Sequence, residues 1–335
     1  MTYYDEMQIS ILKPGLHTTI QDLGRNNFLS QAVPVSGAMD PLSARIANLS
    51  IGNMDNDALI EFTYANASFS CETDLLTAYA GGGATLTVSG VKLPSRRAIF
   101  LPAGTVVKLV AAEHGVRTYL SVAGGWNVPE VLGSKSTYLP AAFGGYKGRL
   151  LKKNDKINGL DTLSATTAAI LDKLKGASVS YTSWGISERF LSPQDKNTIR
   201  IFPSREFTWF QADSIISLAT DPFKINLRSN RMGIMLDGTQ MKRKVSEELL
   251  STAVCSGTIQ VTGNGEMILL MADCQTTGGY PRIAQVAMVD IPLCAQLKPN
   301  EHISFNLISH IEAERLYYEQ EAELKMLTQA IHLKH

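Results

Sequence analysis

The chain has 335 residues, enough for two hydrophobic cores, and its 31 Lys and Arg balance 31 Asp and Glu. That balance excludes nucleic acid or an anionic membrane as the main partner and favours a small neutral or zwitterionic ligand, or another protein. The four cysteines, Cys71, Cys255, Cys274 and Cys294, form no C-x-x-C pair and have no His at zinc-ligand spacing, so free and mostly buried thiols are expected.

The start, MTYYDEMQIS, has neither a basic n-region nor an apolar h-region, and no later run is long enough to cross a bilayer, which points to a cytoplasmic protein. Alternation over Gln8 to Lys13 predicts a short strand. The stretch Gly15 to Asn53 then crowds polar residues between turn and helix signals. Asp40 followed by Pro41 is a strong helix start, with Leu42, Ile46 and Leu49 at helical spacing behind it. Upstream, Gly15, Gly24, Ser36 and Gly37 punctuate segments that read as too polar for core. On residue chemistry alone a capped surface helix behind two turns is the plainer reading; a loop-then-helix entry that builds a site is the other.

Residues 58 to 122 read as short strands separated by Pro, Gly and Asn, as in an antiparallel sheet or barrel, and no βαβ alternation appears. Gly81, Gly82 and Gly83 lack the Lys-Ser or Lys-Thr pair of a phosphate loop and read as a bulge or turn. Gly124 to Gly148 is a long loop-rich connection, either functional or a cross-barrel link tied down by Trp126 and Tyr138. Residues 160 to 198 make the domain boundary and carry a short helix near Thr166 to Leu174. The second half opens with the strand TIRIFP, continues with a helix from Phe207 to Leu218, and returns to strands without parallel-sheet logic. A long charged helix closes the chain from Ile308 to Leu333.

Three polar clusters carry the candidate chemistry: Gln21-Asp22-x-x-Arg25, Ser229-Asn230-Arg231-Met232-Gly233, and Asp273-Cys274-Gln275-Thr276-Thr277-Gly278-Gly279-Tyr280-Pro281. The last follows the apolar strand MILLMA, and its paired glycines let a backbone approach a ligand closely. Arg25 or Arg231 could fork onto a carboxylate, Gln and Thr side chains could orient an amide, and Asp22 and Asp273 are candidates for handling a proton. Each could equally be an Asx-turn cap. No G-x-S-x-G elbow, H-E-x-x-H or Walker loop is present, and the six histidines do not cluster, so a His-based triad or a metal site is a poor bet.

The strings PGLHTTIQDLGR, VPVSGAMDPLSARIANLSIGN, RTYLSVAGGWNVPEVLGSKSTYL, SNRMG and ADCQTTGGYPRIA occur in one order from about Ile11 to about Phe305. In them the chain resembles the carboxyltransferase-related family that includes the C subunit of the bacterial three-subunit 5-oxoprolinase. The same family takes in part of the carboxyltransferase domain of urea carboxylase, once described as the second component of allophanate hydrolase, and the antagonist of a histidine-kinase inhibitor. The resemblance implies a mainly β fold with accessory helices, built as two cyclophilin-like β-barrel subdomains over 1–160 and 161–307 with a C-terminal helix over 308–335. It implies two partners of the 5-oxoprolinase, a kinase-inhibitor-like B subunit and a separate hydrolase-like A subunit. Together these would open the lactam of 5-oxoproline to glutamate using ATP, with no covalently bound cofactor. The motif positions fall on Gln21, Asp22, Arg25, Ser36, Asp40, Asn230, Arg231, Gln275, Thr276, Thr277 and Tyr280. The chain departs from the family pattern at Cys274, at Pro203-Ser204-Arg205-Glu206 and over Gly81 to Ala84, which bears on the substrate more than on the fold. A carboxyltransferase component of a urea-carboxylase-like system and a non-catalytic regulator are the alternatives.

Overall fold

The computed structural model describes residues 6–190, 197–245 and 247–334. By contacts they form two compact units, one of residues 6–25, 40–190 and 325–334, the other of 26–39, 197–245 and 247–324. The linear division at 160/161 and 307/308 is therefore not the division by contacts.

The first unit contains β1 (Gln8–Pro14), β2 (His17–Gln21), α1 (Pro41–Leu49), β3 (Leu59–Thr63), β4 (Ala67–Cys71) and β5 (Leu75–Gly81). It continues with β6 (Ala84–Val88), β7 (Val91–Lys92), β8 (Ile99–Leu101), β9 (Val106–Ala111), β10 (Arg117–Val122), β11 (Lys156–Asn158), α2 (Ala165–Leu174) and β12 (Ser180–Tyr181). These strands make two six-stranded sheets, ordered β11-β1-β4-β9-β6-β7 and β12-β8-β5-β10-β3-β2. Every pair in them is antiparallel. Alternation decides what goes inward: Ala67, Phe69 and Cys71 of β4 are buried, with Ser68 and Ser70 between them half-buried. β10 is buried along its whole length because α1 covers it, and the Ser121 hydroxyl donates to Ala47 O of that helix at 2.9 Å. The helix starts where expected. Asp40 accepts from Ser43 N at 2.8 Å, and Leu42, Ile46 and Leu49 are all buried.

The Gly-rich stretch that closes and follows β5 is closely packed. A Cβ on Gly81 would lie 2.4 Å from Arg117 O, and one on Gly83 2.4 Å from Val116 O. Trp126 in the long connection is fully buried with its indole N–H on Leu120 O at 3.2 Å, and Tyr138 packs on Phe143 with ring centres 5.5 Å apart.

The second unit holds β13 (Thr198–Pro203), α3 (Ala212–Thr220), β14 (Phe223–Ile225), β15 (Gly233–Asp237), β16 (Thr252–Ala253) and β17 (Thr258–Val261). After these come β18 (Met267–Leu270), β19 (Thr277–Gly278), β20 (Arg282–Val286), α4 (Ile291–Gln296) and β21 (His302–Leu307). Seven of the strands close into a barrel, β13-β20-β17-β18-β15-β14-β21, filled by residues such as Ile201, Phe223, Ile259, Leu269 and Phe305. The mainly β class holds, with one closed barrel and separate sheets.

Two sequence expectations change. The segment Phe207 to Leu218 is a short 3-10 turn, Phe207–Trp209, followed by α3, because Phe210 is extended and bridges Arg243, which buries its ring. The barrel also has one parallel pair, β13 with β21, running from Thr198↔Ser304 to Ile201↔Leu307. The closing helix is α5 (His310–His332). No helix among the described residues is long and apolar enough to cross a membrane.

Candidate functional site

The polar clusters are built within each unit, and the first finding corrects the expectation of polar surface turns. Gln21, Asp22, Arg25, Ser36 and Asp40 are all at most 4% exposed. A buried polar group must find partners, and the geometry shows where each goes.

In the first unit, β2 ends at Gln21 and the chain turns at Gly24, whose N–H donates to Asp22 Oδ1 at 2.8 Å. The same carboxylate accepts from Ser134 Oγ at 2.7 Å, from Lys135 N at 2.6 Å and from Ser136 Oγ. Arg25 Nη2 donates to Ser136 O at 2.6 Å, and the guanidinium lies over the Phe143 ring, 4.8 Å from its centre. The Gln21 amide donates to Thr19 Oγ1 at 2.9 Å and Thr137 O at 3.3 Å. The long connection thus folds back so that Ser134 to Thr137 zips along the end of β2. Asp22 is the node of that zip. With three donors on Oδ1 and one on Oδ2 it holds a loop in place.

Asp40 has a different surrounding in the same unit. Its carboxylate caps α1, and its N–H donates to Tyr119 Oη at 2.8 Å, which in turn donates to Glu61 Oε2 at 2.8 Å. Burial, then the neighbouring Glu61 carboxylate, pushes the Tyr119 phenol well above its ordinary range. Tyr119 therefore stays a neutral donor.

In the second unit, Asp273 just past the end of β18 takes a bidentate fork from Arg231, 2.7 Å from Nε and 3.0 Å from Nη2, and a hydrogen bond from Ser36 Oγ at 2.6 Å. Arg231 Nη2 also donates to Gly37 O at 2.6 Å, and Ser36 N donates to Ala272 O at 3.0 Å. Ser36 has φ +59°, a conformation that costs a non-glycine residue about 1–2 kcal/mol and persists because both neighbouring loops clamp it. Asp273 is thus occupied by a cation and a hydroxyl, which fits it to pin the Ser36–Gly37 turn.

The remaining predicted residues, Thr276 apart, are exposed. Asn230 is exposed and uses its side chain as an Asx-turn acceptor for Met232 N at 2.8 Å. Gln275 is exposed and donates to Gln260 Oε1 at 3.3 Å, and Gln260 Nε2 donates to Tyr280 O at 3.2 Å. Thr276 is buried and its carbonyl accepts from Val254 N, Thr277 is exposed on β19, and Tyr280 is 48% exposed. Asn230, Gln275, Thr277 and Tyr280, which carry amide, hydroxyl and phenol groups, are exposed. Such a set can donate to and accept from a neutral amide.

Sequence reading missed Ser134, Ser136, Gln260 and Glu61. The signal exists for two of them: Gln260 interrupts the apolar strand TIQV, and Glu61 interrupts LIEFT. Glu206, at the departure from the family pattern, is buried and pairs with half-buried Arg282 at 2.6 Å. The thiols are all free, with Cys255 alone exposed, and burial pushes those of Cys71 and Cys274 up to about 12. No group of His, Cys, Asp and Glu among the described residues could hold a metal ion.

The chain is similar to known proteins over almost its whole length. Over 97% of its length the chain is 34% identical to the C subunit of 5-oxoprolinase from Escherichia coli K12, 99% of which is covered. Over 96% it is 30% identical to the corresponding C subunit of Haemophilus influenzae, 98% covered. Urea amidolyase of Saccharomyces cerevisiae matches at 29%, the chain spanning 18% of that protein. Among solved structures, urea amidolyase of K. lactis superposes with a TM-score of 0.84 at 27% identity, covering 97% of this chain and 20% of that one. The family model for the carboxyltransferase domain, subdomain A and B, matches residues 31–307, a span that runs from the Ser36 turn through the barrel to the end of β21. By that match and by the full-length relatives, the chain belongs to the carboxyltransferase domain family, subdomains A and B.

Proposed function

We propose that this chain is the C subunit of an ATP-dependent 5-oxoprolinase, a hydrolase complex that opens the lactam of 5-oxoproline to glutamate. The observation that carries the reading is end-to-end similarity: 97% of this chain aligns with 99% of the E. coli C subunit at 34% identity. The urea amidolyase match concerns a small part of a much larger protein. It supports the shared domain and not the larger protein's activity in this chain.

Chemistry agrees with a shared task. An unactivated lactam is a poor electrophile, so ATP is used in the complex to activate it, and polar donors then stabilise the charge that develops. Gly81 to Gly83 does not fit a phosphate cradle, because its backbone is packed against the strand after Val116. No ATP-consuming step is therefore assigned to this chain's residues. Its contribution is recognition of the amide through Asn230, Gln275, Thr277 and Tyr280. The partners are the A and B subunits of the complex, the two domains are cyclophilin-like, and the compartment is the cytoplasm.

Mixing the chain with the A and B subunits, ATP and 5-oxoproline tests this. Glutamate release is expected from the full mixture and from no pair of components. Absence of release from the full mixture, with binding to the B subunit intact, would favour the regulator. In a competent mixture, Gln275→Ala is expected to raise KM several-fold.

A further inference from the structure

Gln260 stands in the barrel strand β17 between Ile259 and Val261, and both of these neighbours belong to the barrel core. The strand runs in regular register with β18, Ile259↔Leu269, Gln260↔Ile268 and Val261↔Met267, so alternation turns Gln260 to the face away from that core. It is nevertheless only 1% exposed. Against its amide lies β19, since a Cβ on Gly278 would stand 2.5 Å from Gln260 Nε2. Gly278 does not have a positive φ, so its lack of a side chain serves the space that the Gln260 amide fills.

A buried primary amide must find partners, and here they fix its direction. The carbonyl of Tyr280 can only accept, so the end of the Gln260 amide that meets it is the nitrogen, at 3.2 Å. The oxygen of the same amide can also only accept, so Gln275 meets it with Nε2, at 3.3 Å. Turning the Gln275 amide over would set two oxygens against each other. Two amides in series thus carry the polarity of one backbone carbonyl to an exposed side chain, and Gln275 Oε1, which takes no bond in this relay, is its acceptor end.

We infer that Gln260 is a positioning residue that makes Gln275 an acceptor for the ring N–H of the lactam, and that this sets specificity for an N–H-bearing ring; the inference rests on the lactam-opening role proposed above. A loose glutamine offers either end to a ligand. One whose nitrogen is held inward favours a donor, and a site built to bond an N–H discriminates against an analogue that lacks it.

The test uses the complete complex with ATP and 5-oxoproline. The competing ligand is 3-oxocyclopentane-1-carboxylate, the carbocycle in which a methylene replaces the lactam N–H, read as a competitive inhibitor. Its Ki is expected about tenfold above the KM for 5-oxoproline, the size of one hydrogen bond that cannot form. Gln260→Leu should shrink that ratio to below about threefold by raising KM, with kcat and the Ki of the carbocycle in place. Gly278→Ala should do the same by displacing only the movable end of Gln260, and it carries the test if Gln260→Leu lowers the melting temperature. Because Gln260 acts through Gln275, adding Gln260→Leu to Gln275→Ala should not change the ratio further. Equal affinity of the parent for both rings, an unchanged ratio in the two single variants, or the same effect of Gln260→Leu with and without Gln275 would overturn the inference while glutamate release leaves the proposed reaction standing. No glutamate release from the parent complex would instead overturn the reaction, and with it the lactam as the ligand of Gln275.

Discussion

Asp22, Arg231 and Asp273 show what a polar residue in a family motif can be for. Each is buried, and each is surrounded by groups from distant sequence: the Asp22 partners Ser134 and Ser136 lie 112 and 114 residues away, and Ser36 lies 237 residues from Asp273. The clusters are legible in the sequence because Gln, Asp and Arg crowd there. Their burial is not, because no local pattern reports a partner a hundred residues away. For the Arg231–Asp273 pair the expected cost of removing one member is about 3–5 kcal/mol, since the other charge is left in a dry site. Removing both in Arg231→Met/Asp273→Leu should cost less than the sum of the single changes. Urea unfolding of the four proteins measures the coupling, and strict additivity would mean that the pair carries no mutual interaction.

Glu206 is a second case at this scale. Burial pushes its carboxyl up, but the side-chain hydrogen bonds and charge of Arg282 outweigh that, and the net shift is below the ordinary value of 4.5. A carboxyl depressed in the folded state adds stability that is complete above its unfolded pKa and is lost as pH falls through the folded one. Stability should therefore decline as pH drops below about 4.5, and Glu206→Gln should flatten that acid limb relative to the parent in melts taken from pH 6 downward.

At the scale of elements, helices with clear caps and strands with clear alternation match the sequence reading: α1, α2 and α5 begin within about two residues of where their signals put them. Phe207 to Leu218 departs from it because hydrophobic spacing alone does not distinguish a continuous helix from a turn followed by a helix when one aromatic, Phe210, is extended toward the core. The connection from Gly124 to Gly148 reads as irregular from its composition. It is nevertheless a tightly specified element, and glycine placement reveals it. Gly144 has φ +70°, and a Cβ there would stand 2.1 Å from Ser136 O, the acceptor of Arg25. Gly133 has φ +72° with nothing within 4 Å of its added Cβ. Gly133→Ala should thus cost only the backbone strain of about 1–2 kcal/mol. Gly144→Ala should cost measurably more, with the difference visible in denaturant midpoints; equal costs would show that the Ser136 loop yields freely.

For the whole molecule, class is readable and closure is not. Short alternating strands and the absence of βαβ repeats point to a mainly β protein, and the structure agrees. Whether a set of strands closes depends on which ends meet, as in the parallel meeting of β13 and β21, and that is a property of pairing across more than a hundred residues. The interleaving of the two units is equally hidden, since residues 26–39 give no compositional hint that they belong with a barrel that starts near residue 198.

That short borrowed segment sets a clock on biosynthesis. Ser36 leaves the ribosome 237 residues before the aspartate it will bond. At about 5–20 residues per second it waits roughly ten to fifty seconds with its strained turn unformed. During that interval the second unit cannot reach its final hydrogen-bond inventory by any route. Its completion belongs to the end of translation, whatever the order in which the rest of the chain collapses.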